Sequence, residues 1–191
     1  MLLHGRGADE LDLLPLADAV DPQRRLVGLL PRAPLALPPG GAHWYVVERV
    51  GYPHAASFHA GLAMLAGWLD VTLAEHGLDL GRTVVAGFSQ GAVMSSAVSL
   101  AAGRLSPAGL VMLSGFVPTV DGLELDLHRG PLPVMIAHGS RDRVIPVEFG
   151  RAARDMLTSA GMAVGYHESA IPHTIDPAVV AELRGWVADR V

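Results

Sequence analysis

Short apolar runs separated by segments of helical spacing restrict this chain to few architectures. Met1 to Leu3, Arg25 to Leu30, Thr83 to Ala86, Gly109 to Leu113, Val134 to His138 and Ala163 to His167 read as strands. From Ala55 to His76, the residues Phe58, Leu62, Leu65, Leu69 and Leu73 mark one helix face at three- and four-residue steps. Another helix follows Ser89, and a third spans Val147 to Ala160 before Gly161 stops it. The last begins at Asp176-Pro177, an N-cap residue followed by proline at the first helical position. This alternation predicts an α/β fold, a parallel sheet with crossover helices. The stretch LPRAPLALPPGG, Leu30 to Gly41, is expected to be a surface loop without regular structure, because proline donates no ladder hydrogen bond. With 191 residues and neither repeat nor linker, one domain is expected.

Composition narrows the function classes. Half of the residues are hydrophobic and 17% are charged, the balance of a packed globular chain. A net charge of −5 without any basic run argues against nucleic acid as a partner. The absence of cysteine excludes disulfides, thiolate metal sites and a cysteine nucleophile. His54 and His59 miss the four-residue step that puts two metal ligands on one helix face, so no metal site is expected. The start MLLHGRGADE lacks the pattern of a signal peptide, and the apolar runs fall short of the ~18 residues of a membrane span. The expectation is a cytoplasmic protein without stable membrane insertion.

One short stretch carries chemistry. GFSQG, Gly87 to Gly91, sets a serine between two glycines where a strand gives way to a helix. Such a turn needs small neighbours to close sharply, and it lifts the Ser89 hydroxyl to a helix N-terminus, where amides favour a developing oxyanion. A serine hydroxyl is a weak nucleophile and requires a base and an orienting acid. Asp142 follows one strand within HGSRDRVIP, and His173 follows the last strand within IPHTI. Taken alone, Asp142 suits a surface pair with Arg141 or Arg143, and His173 is one of nine histidines. Together they give the chain order serine, acid, histidine, each after the C-terminal end of a strand, the edge where open α/β sheets bind ligands. LLHGRG is a strand ending in a glycine-flanked turn, suited to presenting a backbone N–H beside the elbow. His4 and His138 are read as turn and strand-end residues.

These segments, with HWYVV and LSGFVP, resemble the phospholipase/carboxylesterase family of α/β-hydrolases over nearly the whole chain. The resemblance implies an α/β-hydrolase fold: a mostly parallel, doubly wound sheet with helices on both faces. It implies Ser89 as nucleophile, His173 as base and Asp142 as orienting acid, with the main-chain N–H groups of Arg6 and Gln90 as the oxyanion hole. Trp44 and Phe116 match positions at the wall of the substrate pocket. No cofactor is needed, and the partner is a small-molecule ester. Only Ser114 to Pro133 separate two strands where many relatives insert a lid, which predicts no cap domain, an open groove and short to medium acyl chains. Acyl-protein thioesterase activity on longer chains, or a non-catalytic ligand-binding fold, are the alternatives. In the family the first strand is preceded by a hairpin and lies between the Arg25 to Leu30 strand and the strand leading to Ser89. The expectation is therefore that N-terminal strands are missing and the natural chain starts upstream of Met1, or that the exposed sheet edge supports a homo-oligomer.

Overall fold

From residue 84 onward strands and helices follow one another where the apolar spacing predicts them, with one pair of successive strands joined by no helix among the described residues. The computed structural model describes residues 1–128 and 130–191. In chain order the elements are β1 (Leu2–Leu3), α1 (Leu14–Val20), β2 (Leu35–Leu37), β3 (Gly41–His43), β4 (Val47–Arg49), β5 (Tyr52–Pro53) and α2 (Ala55–His76). They continue with β6 (Val84–Phe88), α3 (Gln90–Leu100), β7 (Gly109–Leu113), β8 (Pro133–Gly139), α4 (Val147–Ser159), β9 (Ala163–Ser169) and α5 (Pro177–Ala188). The main sheet runs β1-β6-β7-β8-β9, and each neighbouring pair in it is parallel.

Residue parity along these strands decides which layer each side chain joins. Val84, Ala86, Val111, Leu113, Met135 and Ala137 face one way and pack with Leu16 of α1 and Val179, Leu183 and Val187 of α5. Residues of the opposite parity, such as Val85, Met112 and Ile136, meet the other helices: Leu65 and Val93 from α2 and α3, Ala153 and Leu157 from α4. Helices therefore cover both faces, as a parallel sheet requires. The helix ends follow local chemistry. Gly77 takes a left-handed φ of 63° after α2, and the Asp176 side chain accepts the Ala178 N–H at the start of α5.

Between β7 and β8 the chain buries Phe116, Val117 and Val120, and among its described residues it forms no helix. That is an α/β-hydrolase fold with no cap. Among the described residues, no helix is long and apolar enough to cross a membrane.

Two expectations are corrected in the N-terminal third. Arg25 to Leu30 is not a strand, and its link to β1 is a single ladder-type bond from the Leu2 N–H to the Leu29 carbonyl (2.8 Å). Pro22 and Pro31 bracket the run, and the two residues of β1 make their ladder with β6. The proline-rich stretch is not wholly irregular either. Leu35–Leu37 pairs antiparallel with Gly41–His43, the turn holding the cis Pro38-Pro39 bond. Pro31, Pro34, Pro38 and Pro39 all fall outside the paired residues, so the ladder loses nothing.

Candidate active site

The elbow at Ser89 depends on the two glycines. Ser89 has φ 56° and ψ −121°, a backbone state uncommon for a residue with a Cβ and costing on the order of 1–3 kcal/mol. A Cβ at Gly87 would overlap the main chain of Gly91, and one at Gly91 would overlap the Leu3 carbonyl. Strand β6, helix α3 and the end of β1 meet there at closer range than any side chain allows. Gln90 is the first residue of α3, so its N–H has no preceding intrahelical acceptor.

Loops after β8 and β9 are stitched to one another. The Ser140 N–H donates to the Ser169 carbonyl (2.8 Å) and the Arg141 N–H to the Ile171 carbonyl (3.1 Å). This brings Asp142 and His173 together from distant parts of the chain. The Asp142 Oδ1 accepts the N–H groups of Val144 (2.8 Å) and Ile145 (2.9 Å), leaving Oδ2 for His173 Nδ1 at 2.5 Å. His173 Nε2 lies 2.9 Å from Ser89 Oγ, and Phe88 packs against the imidazole with ring centroids 4.8 Å apart. Among the described residues, Asp142 has no ion pair with Arg141 or Arg143. With a carboxylate on Nδ1, the proton sits on that nitrogen and Nε2 is free to accept one from the hydroxyl. Ser89 is buried, 8% exposed.

The Gly5–Ala8 turn, closed by the Ala8 N–H to the Gly5 carbonyl (3.3 Å), lies against the elbow. A Cβ on Gly5 would stand 3.3 Å from that of Ser89. Arg6 occupies the second position of this turn, where a main-chain N–H takes no part in the closing bond.

Trp44 does not form an open wall. It is 2% exposed, inside the core, and its indole N–H donates to the His4 carbonyl (2.9 Å). The indole has one apolar face to bury and one donor to satisfy, and both needs are met inside. Phe116 is buried too, with its ring centroid 5.2 Å from that of Phe149.

Two histidines read as bland turn residues turn out to be buried connectors. His138 donates Nε2–H to the Ile145 carbonyl (2.8 Å) and lies 3.6 Å from Asp142 Oδ2. His4 donates Nδ1–H to the Gly5 carbonyl (2.8 Å) and accepts the Ala33 N–H at Nε2 (3.0 Å). Burial pushes the His4 pKa below its ordinary value, opposed by the Gly5 hydrogen bond and by Asp12 and Asp9, and reinforced by Arg32. In the sequence their only signal is position, each standing directly before a glycine at a strand end. His54 caps α2, and His59 Nε2–H donates to the Asp121 carbonyl (2.7 Å).

Comparison with known proteins gives the family. The phospholipase/carboxylesterase family model matches residues 1–188. Acyl-protein thioesterase 1 of Yarrowia lipolytica is 28% identical, over all of this chain and 91% of its own. Among solved structures, the carboxylesterase of Bacillus cereus superposes with a TM-score of 0.84 at 25% identity, over all of this chain and 87% of that one. A carboxylesterase from Mesorhizobium loti gives 0.84 at 26% identity, over 98% and 86%. A family match of that extent, on a sheet and elbow of this form, makes the chain a hydrolase belonging to the phospholipase/carboxylesterase family.

Proposed function

We propose that the protein is a serine carboxylesterase that hydrolyses short- to medium-chain carboxylic esters through an acyl-enzyme on Ser89. The observation that carries this reading is His173, whose two ring nitrogens lie 2.5 Å from Asp142 Oδ2 and 2.9 Å from Ser89 Oγ.

In the proposed reaction Ser89 Oγ attacks the acyl carbon as its proton passes to His173 Nε2. Asp142 holds the imidazole in the required tautomer and stabilises the imidazolium. The N–H groups of Arg6 and Gln90 receive the charge that develops on the carbonyl oxygen. His173 then protonates the leaving alcohol, and a water deprotonated by the same nitrogen releases the acid and restores Ser89. Each step moves one proton between oxygen and Nε2.

Chain length follows from the missing cap. Among the described residues no helix stands between β7 and β8 to enclose a long acyl tail, so acyl groups of roughly two to eight carbons should be turned over best. A series of p-nitrophenyl esters from acetate to palmitate tests this, the expected result being a maximum in kcat/KM before decanoate. A maximum at palmitate would instead support a thioesterase acting on longer chains. That second reading is favoured by the Yarrowia lipolytica relative and by the exposed apolar Val46, Val47, Val50 and Tyr52 around β4 and β5.

A further inference from the structure

Residues 41–45 cross between the two places from which oxyanion donors are proposed to come. On one side they are bonded to the turn that carries Arg6. The Gly7 N–H donates to the Ala42 carbonyl (2.8 Å), the Ala42 N–H to the Ala8 carbonyl (2.8 Å), and the Trp44 indole N–H to the His4 carbonyl (2.9 Å). On the other side they are bonded to the first residue of α3 by its side chain. The Gln90 carboxamide accepts the Trp44 N–H at Oε1 (2.7 Å) and donates Nε2–H to the Tyr45 carbonyl (2.8 Å). His4, Trp44, Tyr45 and Gln90 are all buried.

A buried carboxamide is an expensive way to fill space, because each polar atom must find a partner. Here both partners are main-chain groups of consecutive residues, and the contact adds hydrogen bonds to a junction otherwise made by close packing, of Gly5 on Ser89 and of Gly91 on Leu3. Oxyanion stabilisation depends on the separation and aim of two amides borne on different elements, and small displacements weaken it.

We infer that Gly41–Tyr45 is a strap that sets the distance between the two oxyanion donors, with the Gln90 carboxamide and the Trp44 indole as positioning groups. Neither side chain touches substrate; Gln90 thus has two roles, a main-chain donor and a side-chain anchor. This rests on the ester-hydrolysis reading above.

Two variants separate positioning from bulk. Trp44→Phe keeps a ring in the core and removes the indole donor. Gln90→Met keeps chain length and the main-chain N–H and removes the carboxamide. Rates on p-nitrophenyl butyrate, normalised to active sites titrated with a fluorophosphonate, should fall about tenfold in kcat for Trp44→Phe and more for Gln90→Met, with KM within about twofold. The ceiling is the ~10²–10³ lost with an entire oxyanion donor.

The decisive readout is an alkyl trifluoromethyl ketone. Ser89 Oγ adds to its carbonyl carbon, the carbonyl π pair moves onto oxygen, and the serine proton moves to His173, giving a bound oxyanion. Its inhibition constant should rise by the same factor by which kcat/KM falls, which a purely structural defect would not cause in titrated, folded enzyme. An unchanged ketone constant, or a loss confined to KM, overturns the strap. Should Gln90→Met not fold, Trp44→Phe decides alone, since it leaves the Gln90 bonds in place. Wild-type protein that neither hydrolyses an ester nor binds the ketone at Ser89 overturns the catalytic reading and the strap together; variants equal to an active wild type overturn the strap only.

Discussion

The two sides of the candidate site are built by different means. Asp142, His173 and Ser89 hang from β6, β8 and β9, strands locked into one parallel sheet by continuous registers such as Pro133↔Ala163 to Gly139↔Ser169. The side proposed to supply the oxyanion donors combines β1, two residues long, with β3 and the first residue of α3, tied by side-chain-to-main-chain bonds of His4, Trp44 and Gln90. A sheet spreads its constraint over many equivalent bonds, so the loss of one side chain shifts little. A strap concentrates it in a few bonds, each of which matters singly. The triad side should therefore fail by loss of chemistry in an intact fold, and the oxyanion side by loss of geometry and stability together.

The largest effect expected is on the triad side. Ser89→Ala should lower ester turnover by of order 10⁴ or more while the melting temperature stays at or above that of the wild type. The positive φ at residue 89 persists, but the hydroxyl that must be desolvated is gone. Purified Ser89→Ala with wild-type kcat, or a fluorophosphonate adduct on another serine, would sink the assignment.

Asp142→Asn comes next. It should cost about 10²–10⁴ in kcat by favouring the wrong His173 tautomer, since an amide can donate to Nδ1 and leave the proton on Nε2. The Asp142 Oδ1 acceptor for Val144 and Ile145 can be kept by the amide oxygen, so circular dichroism and melting should change little. Wild-type rates would mean that another carboxylate orients His173, with Asp176 next in sequence.

At the junction of the two sides, Gly91→Ala should destabilise by about 1–3 kcal/mol, because its methyl group would overlap the Leu3 carbonyl and force β1 away from α3. Activity per folded molecule should fall as well, since β1 carries the Gly5–Ala8 turn. A denaturant titration showing no loss of midpoint would mean that β1 yields freely, contrary to a strap that holds it.

The smallest effect concerns His4. Its pKa is lowered in the folded protein, so below the unfolded value of about 6.5 the unfolded chain binds more protons than the folded one. Stability from this group is complete above that pH and is lost as pH falls through the window between the unfolded and the folded value, with a slope of at most ~1.4 kcal/mol per pH unit. Protonation at Nε2 would also set a donor against the Ala33 N–H. Denaturant midpoints between pH 7.5 and 5.5 should fall less steeply in His4→Asn, whose amide reproduces the Nδ1–H donor without titrating. Equal slopes in both proteins would assign the acid sensitivity elsewhere.

The sequence by itself determines whatever depends on short-range pattern. Apolar periodicity located α2 with its buried Phe58, Leu65, Leu69 and Leu73, and Gly109 to Leu113 was bounded as observed. The small residues of GFSQG announced a sharp turn because only steric room makes one possible there. What could not be read depends on pairing between distant segments. Arg25 to Leu30 has the composition of a strand, yet a strand exists only where a neighbour offers a ladder, and β1 offers one bond. Leu35 to Leu37 looks interrupted by proline, yet it forms a hairpin because the prolines fall outside the paired residues. Trp44 has the chemistry of a pocket wall, and its burial was decided by the His4 carbonyl forty positions away. The Gln90 side chain is likewise unremarked in a motif read for its serine, since its partners at Trp44 and Tyr45 approach it only after the fold has closed. Periodicity and steric room are local properties of the chain, whereas the partner of a buried polar group is a property of the closed fold alone.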